Sequence, residues 1–216
     1  MTLLFKATSR SRPKRLKKTI DSIVSNLSGQ VDYFIQISLD EDDSELAEYF
    51  KLISPTHEKI IGTSKNKIDA INRDMDLVEQ WWDILINVSD DQVFIKQNFD
   101  LDILEAFVHN NDLFVHFPDG NRDDLATMSI MGRDYYMRDK YIYNPQYVTE
   151  CCDDEAQDVA KIRGCYKFVN KHIFNHEHPA YSKSNWDSNY AMNMTLEKQS
   201  QDRATLHSRR LINFGL

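Results

Sequence analysis

Four short apolar runs in the first ninety residues, each followed by a polar loop and then a helical pattern, constrain this chain more than any other feature. Leu3 to Ala7 reads as an opening strand, left by the polar turn Thr8 to Arg12. Pro13 sits where the first residue of a helix belongs, because the N–H it lacks is one the helix would leave unpaired. Leu16, Ile20, Ile23, Val24 and Leu27 recur at helical spacing with cations between them, and Ser28-Gly29 ends that helix. Tyr33 to Leu39 is a second strand running into Asp40-Glu41-Asp42-Asp43; Leu46, Tyr49, Phe50 and Ile53 then make a short helix that stops before Pro55. Glu58 to Ile61 is a third strand with the exit loop Gly62 to Lys67, and Ile68 to Val78 forms another helix. Ile84 to Val88, short and rich in β-branched residues, reads as a strand buried on both faces.

Such alternation implies βαβ units and a parallel sheet, because a short crossover carrying a helix returns the chain in the same direction. The expected architecture is α/β and Rossmann-like: a mixed, mainly parallel sheet flanked by helices. At 216 residues, with no long linker or repeat, the chain suits one domain. Its regular half is residues 1–100 and its less regular half 101–216. In such sheets ligands bind just beyond the carboxyl ends of the strands. Topology alone therefore gathers Thr8 to Arg12, Asp40 to Asp43, Ser64 to Lys67 and Ser89 to Gln92 along one edge, combining hydroxyls, acids and cations.

The second half is less regular. Leu101 to Val108 reads as a helix, Leu113 to Phe117 as a strand entering the turn Pro118-Asp119-Gly120, and Thr127 to Met131 as another strand. Tyr135, Tyr136, Tyr141, Tyr143 and Tyr147 suit either an acceptor groove or the core. Glu150 to Ile162 reads as a helix opened by Asp153, Asp154 and Glu155, acids that also serve the helix macrodipole. The tail from Asp187 is polar, with an apolar patch from Leu211 to Leu216.

A net charge of −8 argues against a chain whose main affinity is for nucleic-acid phosphates. A local basic cluster does occur near the N-terminus: Lys6, Arg10, Arg12, Lys14, Arg15, Lys17 and Lys18. Nothing is long and apolar enough to cross a bilayer, Met1 to Phe5 is too short for a secretory signal, and a cytoplasmic location is expected. Cys151, Cys152 and Cys165 make a poor disulfide framework. They also lack a Cys-x-x-Cys pair to anchor zinc with His172, His176 or His178, and read as small hydrophobes.

Of four Asp-Asp pairs (Asp42-Asp43, Asp90-Asp91, Asp123-Asp124, Asp153-Asp154), only Asp90-Asp91 comes after a strand buried on both faces. Two acids there repel unless a positive group joins them, and a divalent cation carrying a phosphate-bearing substrate is the usual one. His176 and His178, two apart, can point the same way in an extended segment, and imidazole suits Mn²⁺. Lys65 and Lys67 suit a diphosphate.

These parts, in this order, resemble glycosyltransferases of the family 2-like, GT-A type, across nearly the whole chain. The matching segments are Ala7 to Pro13, Leu39 to Asp42, Ser64 to Asn72, Asn87 to Gln92, Cys152 to Glu155, His176 to Pro179 and Asp202 to Arg210. The resemblance implies that Thr8, Ser9, Arg10, Arg12 and Asp40 hold the base and ribose of a nucleotide-sugar. Ser89-Asp90-Asp91 resembles the DxD element, with Ser89 in place of its first acid and Gln92 as a substitute donor. Asp91 would then ligate the metal and Asp90 lie near the ribose or donor sugar. One of Asp153, Asp154 or Glu155 would be the catalytic base, and His178, or else His176, the late metal ligand.

The implied reaction is a Mn²⁺- or Mg²⁺-dependent inverting transfer from a nucleoside diphosphate sugar, UDP-sugars first, to an acceptor hydroxyl. The acceptor stays open among a glycan, a lipid-linked sugar, a protein and, because of the basic cluster, a modified DNA base. Two rivals share the site: a sugar-phosphate nucleotidyltransferase and a binding module without turnover. The first ordinarily wants a Gly-rich phosphate loop after the opening strand, and Thr8 to Arg12 contains no glycine. The second is compatible with Ser89.

Overall fold

The computed structural model describes residues 1–181 and 185–216. In chain order it contains β1 (Thr2–Thr8), α1 (Pro13–Asn26), β2 (Asp32–Asp40), α2 (Leu46–Leu52), β3 (Glu58–Gly62), α3 (Lys67–Asn72), β4 (Ile84–Ser89) and β5 (Gln92–Phe94). Next come α4 (Phe99–Phe107), β6 (Phe114–His116), β7 (Ile130–Gly132), α5 (Arg133–Asp139), α6 (Cys152–Ile162), β8 (Tyr166–Phe168), β9 (Phe174–His176), α7 (Ser188–Asn193) and α8 (Leu196–Leu211).

The main sheet has seven strands in the order β3-β2-β1-β4-β7-β6-β8. The β3-β2, β2-β1, β1-β4 and β6-β8 pairs are parallel, whereas β7 runs antiparallel to both β4 and β6. The expected mixed, mainly parallel sheet is thus present, and strands from both halves of the chain share it. Register sets the rim. Thr8 lies level with Ser38 on one side and Ser89 on the other, and Asp40 lies level with Gly62. The exit loops of the first four strands therefore leave one edge together.

Alternation along the strands divides the interior in two. Leu3, Phe5, Ala7, Ile84, Ile86 and Val88 pack under α1, α2 and α4, including Leu16, Ile20, Tyr49 and Phe99. Leu4 and Leu85 face the other way, onto Ile68, Trp82, Tyr135, Tyr143, Tyr147 and Ala160. Four of the five tyrosines between 135 and 147 are buried there, so the core reading of that stretch holds.

Several expected boundaries move. Val24 is exposed, one position round the helix from the buried Ile20 and Ile23. The helix expected over Ile68 to Val78 stops at Asn72, and a 3₁₀ turn covers Met75–Leu77. Arg73 donates to the carbonyl of Leu39, and Asp74, at φ 67°, accepts from the Ser38 hydroxyl. These side chains bind the end of β2 and pull the backbone out of the helix; Asp tolerates the left-handed conformation better than most residues. The strand expected over Thr127 to Met131 begins only at Ile130. No helix among the described residues is long and apolar enough to cross a membrane.

Candidate functional site

The rim is held by a chain of hydrogen bonds that begins in the β4 exit turn. Ser89 N–H donates to Gln92 Oε1 (2.9 Å), and Gln92 Nε2 donates to the Thr127 carbonyl (3.2 Å), which closes the turn and commits the glutamine. Asp90 and Asp91 are then each only 5% exposed at the mouth of the sheet. Ser9 Oγ donates to Asp90 Oδ2 (2.6 Å), and Arg12 Nη1 reaches Oδ1 at 3.2 Å. Tyr49 OH accepts from the Arg12 N–H (2.9 Å), which leaves its own proton for Ser9 Oγ (2.8 Å). The β1 loop is thereby fixed onto the acid pair, as the parallel topology requires.

The two acids differ electrostatically. Burial, reinforced by the charge of Asp91, raises the Asp90 carboxyl above the usual range against the pull of Arg12 and Ser9. Burial would raise Asp91 too. There it is outweighed by His176 and Tyr190, and the carboxyl is held well below the usual range. Asp91 is the stronger acid of the pair.

His176, at the end of β9, lies between two carboxylates. Its Nε2 is 3.4 Å from Asp91 Oδ1, and its Nδ1 is 3.3 Å from Asp119 Oδ2. Burial alone would lower this imidazole, but its bonds to Asp119 and Asp91 raise it to about 9. His178 goes the other way. Burial, with repulsion from His176, lowers it to about 4, so it is neutral near pH 7.

A divalent cation fits this arrangement in one respect. Asp91 Oδ1 is buried without a hydrogen-bond partner among the described residues and faces an imidazole nitrogen. Two ligand atoms about 2.1 Å from one ion stand roughly 3.0–3.4 Å apart at ordinary bond angles, the spacing found here. Among the described residues no group of three or more His, Cys, Asp or Glu could hold a metal ion. Asp91 and His176 would supply two protein ligands, and substrate phosphate and water would have to supply the rest, as is usual for Mg²⁺.

The acids open onto a cleft of about 250 Å³ bordered by Thr8, Ser9, Arg10, Arg12, Lys67, Asp90, Asp91, Asp153, His176 and His178, all singled out from sequence. Other expected residues lie outside it. Asp40 is held by Arg10 Nη1 (2.8 Å), Ser64 Oγ (2.5 Å) and Arg73 (3.4 Å) at the end of β2, beside the cleft. Lys65 is exposed on the approach to α3. Asp154 is absent from the lining. Glu155 is buried, accepting from Asn144 (2.7 Å), Tyr147 (2.7 Å) and Arg209 (2.6 Å), which ties α6 to α8. Of the three acids proposed as base, Asp153 borders the cleft.

Residues not foreseen come from the C-terminal part. Tyr190 OH donates to Asp91 Oδ2, and its ring lies 3.9 Å from the Arg12 guanidinium carbon. Asp187 receives Arg12 through two bonds of 2.8 and 2.6 Å, and Asn189 donates to the Arg10 carbonyl (3.1 Å). The only local signal is the Asp-x-x-Tyr pattern by which Asp187 caps α7, accepting from Tyr190 N–H at 3.0 Å.

No protein-family model matches the chain, and no curated protein matches it by sequence. Solved structures do match by fold. Glucosyl-3-phosphoglycerate synthase from Mycobacterium tuberculosis, in complex with Mn²⁺, UDP and phosphoglyceric acid, superposes with a TM-score of 0.64 at 16% identity, over 96% of this chain and 78% of that one. A mannosyltransferase from Pyrobaculum calidifontis, in complex with GDP-mannose and Mn²⁺, gives 0.59 at 9% identity over 79% of this chain. The present chain spans 54% of that protein's length. Drosophila β-1,4-galactosyltransferase 7, with manganese, UDP-galactose and xylobiose, gives 0.56 at 12% over 90% and 79% of the two chains. The chain has the GT-A fold of nucleotide-sugar glycosyltransferases.

Proposed function

We propose that this protein is a metal-dependent glycosyltransferase that moves a sugar from a nucleoside diphosphate donor, a UDP-sugar first, to a hydroxyl of an acceptor glycan, with inversion by direct displacement. One observation carries the reading: an ionised, partly unsatisfied Asp91 lies on the rim where the β1 loop closes, with Asp153 on the same cleft. Residues 1–100 form the nucleotide half and 101–216 the acceptor half. Thr8, Ser9, Arg10 and Arg12, backed by Asp40, receive the base and ribose; Asp90 faces the ribose or donor sugar. Lys67, with Lys65 at its approach, receives the diphosphate. Asp91 with His176 or His178 would hold Mn²⁺ or Mg²⁺, which when bound offsets the charge growing on the departing nucleoside diphosphate.

Asp153 takes the role of base. The acceptor oxygen attacks the anomeric carbon as its proton passes to Asp153, and the bond to the diphosphate oxygen breaks on the opposite side. Glu155 has no such freedom, because three partners already use its carboxylate. The acceptor preference rests on charge. Within the N-terminal basic cluster Lys6 is buried, and Arg10, Arg12, Lys17 and Lys18 are each paired with carboxylates, which leaves little for a nucleic-acid backbone. Three unpaired cysteines suit a reducing compartment such as the cytoplasm.

Incubating the protein and Mn²⁺ with a panel of nucleotide-sugars, read by mass spectrometry, should reveal slow release of one free sugar. Asp153→Asn should cut transfer roughly 10²–10⁴-fold while donor affinity stays within about twofold. A panel with no turnover, or an undiminished Asp153→Asn variant, removes the enzyme or the base respectively.

A further inference from the structure

We infer that Asp119 is the positioning residue of the cation site and that His176, rather than His178, is its imidazole ligand; this rests on the reading of the cleft as metal-dependent. The turn Pro118-Asp119-Gly120 comes after β6 and does not border the cleft. Asp119 is nonetheless fully buried. Its Oδ1 accepts from the N–H groups of Asn121 (2.8 Å) and Arg122 (2.9 Å), and its Oδ2 accepts from Thr127 Oγ1 (3.0 Å) while facing His176 Nδ1. The grip extends to the main chain: His176 N–H donates to the Asp119 carbonyl (2.9 Å), and Asn121 Nδ2 donates to the His176 carbonyl (2.8 Å). Gly120 permits the close approach. It has a φ of 78°, and a Cβ there would come within 2.6 Å of Asn175 and His172.

A carboxylate on Nδ1 fixes the ring's orientation and leaves Nε2 to a metal, the usual outer-shell arrangement of ligating histidines. Here Nε2 lies 3.4 Å from Asp91 Oδ1, so one cation could be shared by the two. His178 lacks this support. Its Nδ1 accepts from the Ala180 N–H (3.2 Å), which places the proton of the neutral ring on Nε2 and leaves no lone pair for a cation.

The test is pulsed electron paramagnetic resonance of Mn²⁺ bound to the protein with UDP, alongside Mn²⁺ titration. The parent and His178→Gln should show nitrogen coupling from one bound imidazole, and His176→Gln should lose it. Asp119→Asn should weaken Mn²⁺ binding about 10–100-fold, and Asp119→Ala further. In the metal-free parent, ¹⁵N NMR of His176 should report a Nδ1–H hydrogen bond that Asp119→Asn weakens, a readout that precedes any metal. Coupling retained in His176→Gln and lost in His178→Gln overturns the inference. So does Mn²⁺ bound with no nitrogen coupling, an outcome that leaves the glycosyltransferase reading standing. A parent that binds neither Mn²⁺ nor UDP overturns both.

Discussion

Asp90 and Asp91 are adjacent and equally buried, yet one is pushed towards its neutral form and the other held ionised. The difference comes from partners more than eighty residues away in sequence, His176 and Tyr190. This arrangement makes stability depend on pH. His176 is raised to about 9 from an ordinary 6.5, so the imidazolium contributes its full stabilisation below about pH 6.5 and loses it as pH rises through 9. That contribution is on the order of 2–3 kcal/mol. Urea unfolding of the metal-free protein at pH 6.5 and 9 should show it as a difference between the parent and His176→Gln that shrinks at the higher pH. The comparison needs the variant because Lys6, lowered by burial to about 8, responds in the opposite sense at the alkaline end. A gap that stays constant with pH removes the imidazolium from the account. The acid pair was legible in the sequence because a run as apolar as Ile84–Val88 must be buried, and the residues just beyond it must reach a sheet edge. Asp119 and Tyr190 were not, since an aspartate before glycine reads as a turn and a tyrosine in a polar tail has no local pattern to mark it.

Among the elements, those with enough residues to show a period matched their sequence reading: β1, α1, β2 and β4 differ from it by no more than two residues at either end. The missed strands β5, β8 and β9 have three residues each, too few for alternation to register. Helix α8 was missed for the opposite reason. Of its sixteen residues only Asp202 and Leu206 are buried, so it has almost no apolar stripe. What docks it is charge. Asp202, wholly buried, accepts the N–H groups of Val148 (2.9 Å), Thr149 (2.7 Å) and Glu150 (2.8 Å), and Thr149 and Glu150 border the cleft. Asp202→Ala strands three amides and should cost roughly 3–5 kcal/mol, measurable by denaturant unfolding. Donor turnover should fall with it, because the cleft wall loses its anchor. A change below about 1 kcal/mol would show that water replaces the carboxylate and that α8 is held by other contacts.

At the scale of the molecule, fold similarity extends over 96% of the chain at only 16% identity. So little identity suffices because the architecture depends on few features: four parallel strands in register, with their exit loops on one rim. The sequence carried the order of these features, which is why the fold was legible without a matching family model. The side chains that α7 and the loop after β6 bring to the acid pair and its histidine, Tyr190 and Asp119, come from stretches where no period guides the eye. The most direct measurement is calorimetric titration of UDP into the protein with and without Mn²⁺. Binding should depend on Mn²⁺ in the parent and in Asp153→Asn, and should fall at least about tenfold, the equivalent of 1.4 kcal/mol, in Asp91→Ala. Equal affinity in the parent and Asp91→Ala with Mn²⁺ present would contradict the assignment of the rim as a cation-assisted diphosphate site.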